Sequence, residues 1–367
     1  MFWGCIWLLL LSSKFSNNIH LKDYILREIA KKTAHVDSIT FYAENDNSLF
    51  LYLEHELSTD TKLLVITTKQ NFSVVGKLLC TVTADNLILK ENMLIPSQCT
   101  VFEEQTYLLK HNNSTVNVLH VDELTKFPSI LLEDENSHAT IHLFNEDKES
   151  AFAMLSPIAQ TNEVKIDMTQ MVDGWLRIDI ISRKYGNITH FITSAKQLLS
   201  SKIITAANIP AYIIEKLYNA QKKLTFAESC TGGLLAYMFT KESGASNVFD
   251  GSLVTYSNVL KENWLAVETA TVEQNGAVSE EVVQEMSDGA LNVSYANYAL
   301  AISGVAGPTG GSEEKPVGTV YISARSKTAE NTQRLLLSGD RRYIQEQSAL
   351  FAIKMLLEID KELFFTN

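Results

Sequence analysis

Residues 227–233 read AESCTGG, and a lysine, Lys261, follows within VTYSNVLKENWL (254–265). Ser229, Cys230 and Thr231 place two hydroxyls and a thiol in consecutive positions, after the apolar run LTFA and before a helical pattern. That order describes a strand-to-helix elbow. A side-chain oxygen there stands at the carboxyl edge of a sheet, and the free N–H groups of the first helical turn face the crevice. Such N–H groups hold a phosphate or stabilise an oxyanion. A plainer alternative is that Ser229 or Thr231 only caps the helix. The supply of bases narrows the chemistry. All eight histidines lie at or before His190, so the C-terminal region cannot build a Ser-His-Asp triad from its own residues. A nucleophilic serine there needs a neutral lysine instead, sometimes with a tyrosine relaying the proton. Lys261, near the first turn of a helix whose positive end disfavours its charged form, and Tyr256, at a strand end, supply that pair. Lys315 competes as a base from a proline-flanked loop position. The rival nucleophile is Cys230, whose thiolate a helix N-terminus favours; without a histidine its ordinary role is that of a small buried residue.

These residues need elements to hold them. LTFA (224–227) reads as a buried strand, and the helix after it carries Leu234, Leu235, Met238 and Phe239 and stops near Gly244. VTYSNVLKENWL is a second strand and helix. ALAISGVAGPTGGSEEKPVGTVYIS (299–323) is strand, glycine-rich loop and strand, with Ser303, Gly304 and Gly307 at the strand exit. LLLSGDRRYIQEQ (335–347) ends a strand on Gly339, Asp340 and Arg341 before the last helix. Of the 16 glycines only Gly4, Gly76, Gly174 and Gly186 precede residue 201, so the loops that bring backbone close to a ligand belong to the C-terminal region.

Upstream, strands at 38–43 and 62–68 alternate with helices at 48–57 and near 71–82, after an opening strand and an amphipathic helix with Ile19, Ile25, Leu26 and Ile29 on one side. That is the order of a parallel α/β sheet. KLLVITT continues into KQNFSVV without the glycines of a phosphate cradle, so this front domain is expected to lack a nucleotide site of its own. Beyond Pro128 shorter alternating runs describe a small α+β module. The fold class is therefore α/β in several domains: 1–130, 131–204 and 205–367.

The chain has 367 residues, 46% of them hydrophobic and 20% charged, enough for two or three packed cores. Its net charge of −12 leaves no broad basic surface for a duplex, so no nucleic-acid partner is expected. Cys5, Cys80, Cys99 and Cys230 show no metal-ligand spacing, and neither a metal nor a cofactor is expected. The apolar run Ile6–Leu11 is too short to span a bilayer and Met1 to Gly4 carry no positive charge. A buried first strand, a cytoplasmic location and no membrane partner follow as expectations.

AESCTGG, VTYSNVLK, NGAVSEEVV, ISGVAGPTGGSEEKPVGTVY and SGDR occur in this order over about 140 residues. In these five motifs the chain resembles the C-terminal domain of the CinA family, the nicotinamide-nucleotide amidases. The resemblance extends weakly upstream through FITSAKQLLSSKIITAANIPAYIIEKL, and the front third is similar only in element order to that family's molybdopterin-cofactor-binding-like domain. The resemblance implies hydrolysis of nicotinamide mononucleotide to nicotinic acid mononucleotide and ammonia, with Ser229 as nucleophile and Lys261 and Tyr256 handling the proton. In that scheme N–H groups near Thr231, Gly232 and Gly233 would hold the oxyanion; Gly304, Gly307 and Arg341 are candidates for the phosphate and ribose, since a planar guanidinium suits a phosphate and glycines allow close backbone approach, and Ser303 is a further substrate-binding candidate. A homodimer is expected. The ADP-ribose pyrophosphatase activity associated with the front domain in related proteins is expected to be absent, leaving it a scaffold. A different class of function remains open: a nucleotide sensor or partner-binding protein that keeps the pocket without turnover, in keeping with the family's association with competence and DNA damage.

Overall fold

The structure is a computed structural model and describes residues 6–33, 36–122, 126–134, 136–182 and 185–366. Residues 1–5, including Cys5 and the segment read for a charged n-region, lie outside them. The chain forms two compact units, residues 1–138 with 182–185, and residues 139–181 with 186–367.

In the first unit, strands β1 (Ile6–Leu11), β2 (Ser38–Tyr42) and β3 (Lys62–Thr67) precede a short hairpin, β4 (Leu87–Lys90) with β5 (Met93–Pro96). Strands β6 (Val101–Glu103), β7 (Thr106–His111) and β8 (Ser114–His120) follow, and the main sheet has the order β2-β1-β3-β8-β7-β6. Its first four strands are parallel, as the alternation of strands and helices implies. Strands β7 and β6 add an antiparallel edge to this parallel core.

Helices α1 (Ser13–Asn17), α2 (Ile19–Ala30), α3 (Leu49–Ser58) and α4 (Lys69–Thr83) cover this sheet. Leu8 and Leu10 of β1 pack with Ile25 and Ile29 of α2, while Leu9 and Leu11 pack with residues of α3 and α4 on the other face. A strand buried on both faces reads as an unbroken apolar run, which is what IWLLLL is. The buried stripe of α2 is Leu21, Ile25 and Ile29; Ile19, expected inside, is 45% exposed.

The second unit opens with β9 (Ser137–Phe144), α5 (Lys148–Thr161), β10 (Val164–Val172), β11 (Trp175–Ser182), α6 (Ile188–Leu199) and β12 (Ile203–Thr205). The sheet order is β10-β11-β9-β12. Ile141 and Leu143 point to α5 and α6, whereas Phe144, Val172, Trp175 and Ile204 join the core built by the C-terminal helices. That shared core places the middle segment in one unit with the C-terminal region.

His142 alternates with these residues and is 3% exposed, accepting at Nδ1 from the Trp175 indole N–H at 2.9 Å. Burial, with help from Arg177, pushes its pKa down from 6.5 to about 4. The unfolded chain binds this proton near pH 6.5 and the folded protein only near pH 4, so His142 removes stability as pH falls through that window. Its share of the loss at pH 4.5 is expected to be about 2 kcal/mol. Urea titrations at pH 7 and 4.5 should show His142→Gln losing less stability than wild type over that interval, by about that amount.

The rest of the unit comprises α7 (Ile209–Asn219), β13 (Leu224–Glu228), α8 (Leu234–Thr240), β14 (Phe249–Val254), α9 (Asn258–Leu265), α10 (Thr269–Asn275), α11 (Glu280–Ser294) and β15 (Tyr298–Gly304). It ends with β16 (Thr319–Ser326), β17 (Glu330–Leu336), α12 (Arg341–Ile359) and α13 (Lys361–Phe365). The five strands lie in the order β14-β13-β15-β16-β17, with β13 parallel to both neighbours and the last two antiparallel. Phe226, Leu300 and Ile302 face α7, α8 and α12, while Ala227, Ala299 and Ala301 face α9 and α11. The chain therefore leaves β13 towards one face and β14 towards the other, which opens a crevice between their carboxyl ends.

The alanine face draws the helices close. A Cβ on Gly289 of α11 would stand 2.0 Å from the carbonyl oxygen of Leu265, at the end of α9. Helix propensity alone favours Gly289→Ala by about 1 kcal/mol. Against the α9 backbone the substitution is expected to cost about 3 kcal/mol instead, lowering Tm by roughly 5–10 °C in calorimetry.

Candidate active site

Ser229 leaves β13 at that crevice. Its N–H donates to the Ile302 carbonyl at 2.9 Å and the Thr255 N–H donates to the Glu228 carbonyl at 2.8 Å, so parallel pairing continues past the strand ends and holds three strand exits together. Lys261 sits on α9, whose N-cap Ser257 accepts from the Leu260 N–H at 3.3 Å. Its side chain turns inward and is 1% exposed. The Nζ donates to Ser229 Oγ at 3.0 Å and to the Thr255 carbonyl at 2.8 Å. Burial lowers the pKa of Lys261 from its ordinary value of 10.5, opposed in part by Cys230. A neutral amine satisfied on one side by Thr255 has its lone pair free for the serine proton.

The helix-cap alternative for Ser229 does not describe this turn. The N-cap of α8 is Gly233, at φ 99°, with no side-chain cap bond. The first donors of α8 go to Glu228: Gly233 and Leu235 N–H donate to Oε2 at 3.0 Å each, and Ala236 N–H donates to Oε1 at 2.9 Å. Gly232 N–H is taken by the Ser229 carbonyl at 3.1 Å. Gly232 and Gly233 are thereby corrected as oxyanion donors, since both N–H groups are already engaged. Among the described residues the N–H of Thr231 has no backbone acceptor, and that of Cys230 is directed at its own thiol. The Thr231 hydroxyl is buried and also without a hydrogen-bond partner.

Cys230 is buried, and burial pushes its thiol up to about 12. The dipole at the start of α8 does not make it a thiolate. Its carbonyl accepts from Gln345 Nε2 of α12 at 2.6 Å. Tyr256 is 58% exposed and its hydroxyl accepts from Arg341 Nη2 at 2.6 Å. Lys261 reaches Ser229 directly, and Tyr256 is tied to α12 rather than placed between them.

Arg341 also donates through Nη1 to the Gly307 carbonyl at 2.7 Å, so it joins the β14–α9 turn to the glycine-rich loop. Ser303 is 1% exposed and its hydroxyl donates to the Ala277 carbonyl at 2.7 Å, in the NGAVS turn. A Cβ on Gly304 would fall 2.9 Å from the Thr319 carbonyl oxygen, and one on Gly307 2.5 Å from Val317. Gly304 is required by the close approach of β16 and Gly307 by the packing of its own loop. Lys315 Nζ donates to the Asn275 carbonyl at 2.6 Å and is fixed away from the role of base.

Three contributors escaped the sequence reading: Glu228, the Thr255 carbonyl and Gln345. A signal existed for Glu228. A glutamate closing an apolar strand must place its carboxylate somewhere, and the free N–H groups of the helix that follows are within reach.

The family model for the CinA C-terminal domain matches residues 206–359, which include Ser229 and Lys261. A CinA-like protein of Fervidobacterium nodosum is 47% identical over 144 residues, 39% of this chain and 35% of that protein. A CinA-like protein of Thermosipho melanesiensis is 42% identical over 183 residues, 48% of this chain and 44% of that protein. The chain thus spans less than half the length of these curated relatives. Among solved structures, the competence/damage inducible protein CihA of Agrobacterium tumefaciens is 36% identical, covers 41% of this chain and 93% of its own, and aligns with a TM-score of 0.41. By this domain, and by sequence identity of this degree to its members, the chain belongs to the CinA family.

Proposed function

We propose that this chain is an amidase that hydrolyses the carboxamide of nicotinamide mononucleotide, with Ser229 as nucleophile and Lys261 as its base. The observation that carries the reading is the 3.0 Å contact between a buried lysine amine and the serine hydroxyl at a strand exit. A protein that only sensed a nucleotide would have no use for a lysine desolvated against a hydroxyl, since that burial is costly and returns only reactivity.

In this scheme neutral Lys261 takes the Ser229 proton as Oγ attacks the carboxamide carbon. The oxyanion forms opposite the Cys230 and Thr231 N–H groups. Lys261, now an ammonium, gives its proton to the departing nitrogen, and ammonia leaves an acyl-Ser229. Water then attacks that ester with Lys261 again as base, and the acid is released with Ser229 restored. Arg341 binds the phosphate, for which a planar guanidinium is suited. The test is ammonia release from nicotinamide mononucleotide by the full chain. Binding without ammonia would sink the amidase reading and favour a sensor.

A further inference from the structure

Glu228 is fully buried one position before Ser229, and its carboxylate accepts four hydrogen bonds. Three come from the first turn of α8. The fourth comes from the Ser252 hydroxyl of β14, which donates to Oε1 at 3.1 Å. Residues 229–232 therefore form a loop closed at both ends on one side chain, leaving Glu228 through the backbone and returning at the Gly233 N–H. Gly232, which ends that loop, and Gly233, which closes it, sit at left-handed angles, φ 62° and φ 99°, which residues with a Cβ adopt only with strain. The Ser252 bond ties the same carboxylate to β14, the strand that leads to Thr255 and, one helix turn later, to Lys261. Both halves of the serine–lysine pair are thus referred to one group.

We propose that Glu228 is a positioning residue: it sets the separation of Ser229 and Lys261 by clamping the elbow and β14 to a single carboxylate, and it fills the α8 N-terminus so that no substrate anion binds there. The inference rests on the serine–lysine reading above. Glu228 is buried beneath the turn, so its removal should disturb the geometry of attack rather than the binding of substrate.

The experiment compares full-length wild type, Glu228→Gln and Ser252→Ala at 25 °C. It measures the rate at which phenylmethylsulfonyl fluoride adds to Ser229, by intact mass, together with kcat and KM for ammonia release. Glutamine keeps the shape but turns an amide N–H₂ towards donors. Glu228→Gln is expected to slow labelling and kcat by about 50-fold with KM within about threefold of wild type. Ser252→Ala is expected to slow both by about fivefold. A folded Glu228→Gln with a cooperative melt and wild-type labelling would show a purely structural carboxylate and overturn the proposal. If that variant does not fold, unchanged labelling in Ser252→Ala overturns it equally. Wild type that labels at Ser229 without releasing ammonia removes the amidase reading and leaves the positioning role to be decided by labelling. Wild type that does neither removes both.

Discussion

Replacing Ser229 with alanine is expected to abolish ammonia release, by on the order of 10⁴-fold in kcat, while Cys230→Ala stays within about threefold of wild type. The two residues are neighbours in one turn, and their environments separate them. Ser229 Oγ lies 3.0 Å from Lys261 Nζ. The Cys230 thiol, pushed up to about 12 by burial, holds its proton throughout the working range. Steady-state assays of both variants, with mass spectrometry for an acyl adduct, provide the check. A dead Cys230→Ala beside an active Ser229→Ala would reverse the assignment. Nucleotide binding by Ser229→Ala at wild-type affinity would show that the hydroxyl serves chemistry rather than recognition.

Ser229 and Lys261 were legible in the sequence because strand ends are sharply marked there. LTFA stops at a polar turn, SLV at another, and histidine's absence downstream leaves lysine as the candidate base. The alternation of strands and helices likewise gave the parallel core of the first sheet, where apolar runs are long. What stayed hidden depends on contacts distant in sequence. Glu228 reads as the last residue of a strand until the first turn of α8 is seen folded back on it. Ser303, Gly304 and Gly307 look like a ligand loop by composition, yet Ser303 is spent on Ala277 and the glycines are fitted against Thr319 and Val317. A glycine reports that a Cβ has no room; it does not say whether a ligand or the protein's own backbone takes the space. Tyr256 and Arg341 stand 85 positions apart, and only the fold shows that they bond to each other.

The same contact gives α12 a role beyond packing. Arg341 and Gln345 lie four positions apart on one helix face and reach three segments of the site: the Tyr256 hydroxyl, the Gly307 carbonyl and the Cys230 carbonyl. A phosphate arriving at Arg341 would compete with these bonds. The guanidinium has five donors in a rigid fork, so it can accept a phosphate while keeping part of its hold on the loops.

Lys261→Met and Lys261→Arg should both lose about 10³-fold in kcat/KM, the scale of a general base, although they fail for different reasons. Methionine fills the buried site without an amine. Arginine keeps a positive charge and donors near Ser229 but has no lone pair at any accessible pH. If Lys261 acted only as a fixed charge for the oxyanion, arginine would retain much of the activity, so this variant separates base from electrostatic partner. In the wild type, kcat/KM should rise with pH along a limb set by Lys261, because only the free amine accepts the serine proton. Burial lowers that pKa, so the limb is expected below the ordinary lysine value of 10.5, with turnover at lower pH than an exposed lysine would permit. The limb should vanish in the residual activity of Lys261→Met. Removing a buried amine also relieves its desolvation, so the methionine variant should melt no lower than wild type. A pH–rate profile beside a thermal melt reads both at once. An inactive Lys261→Met with an undiminished Tm assigns the loss to proton transfer, whereas an active one requires another base for Ser229.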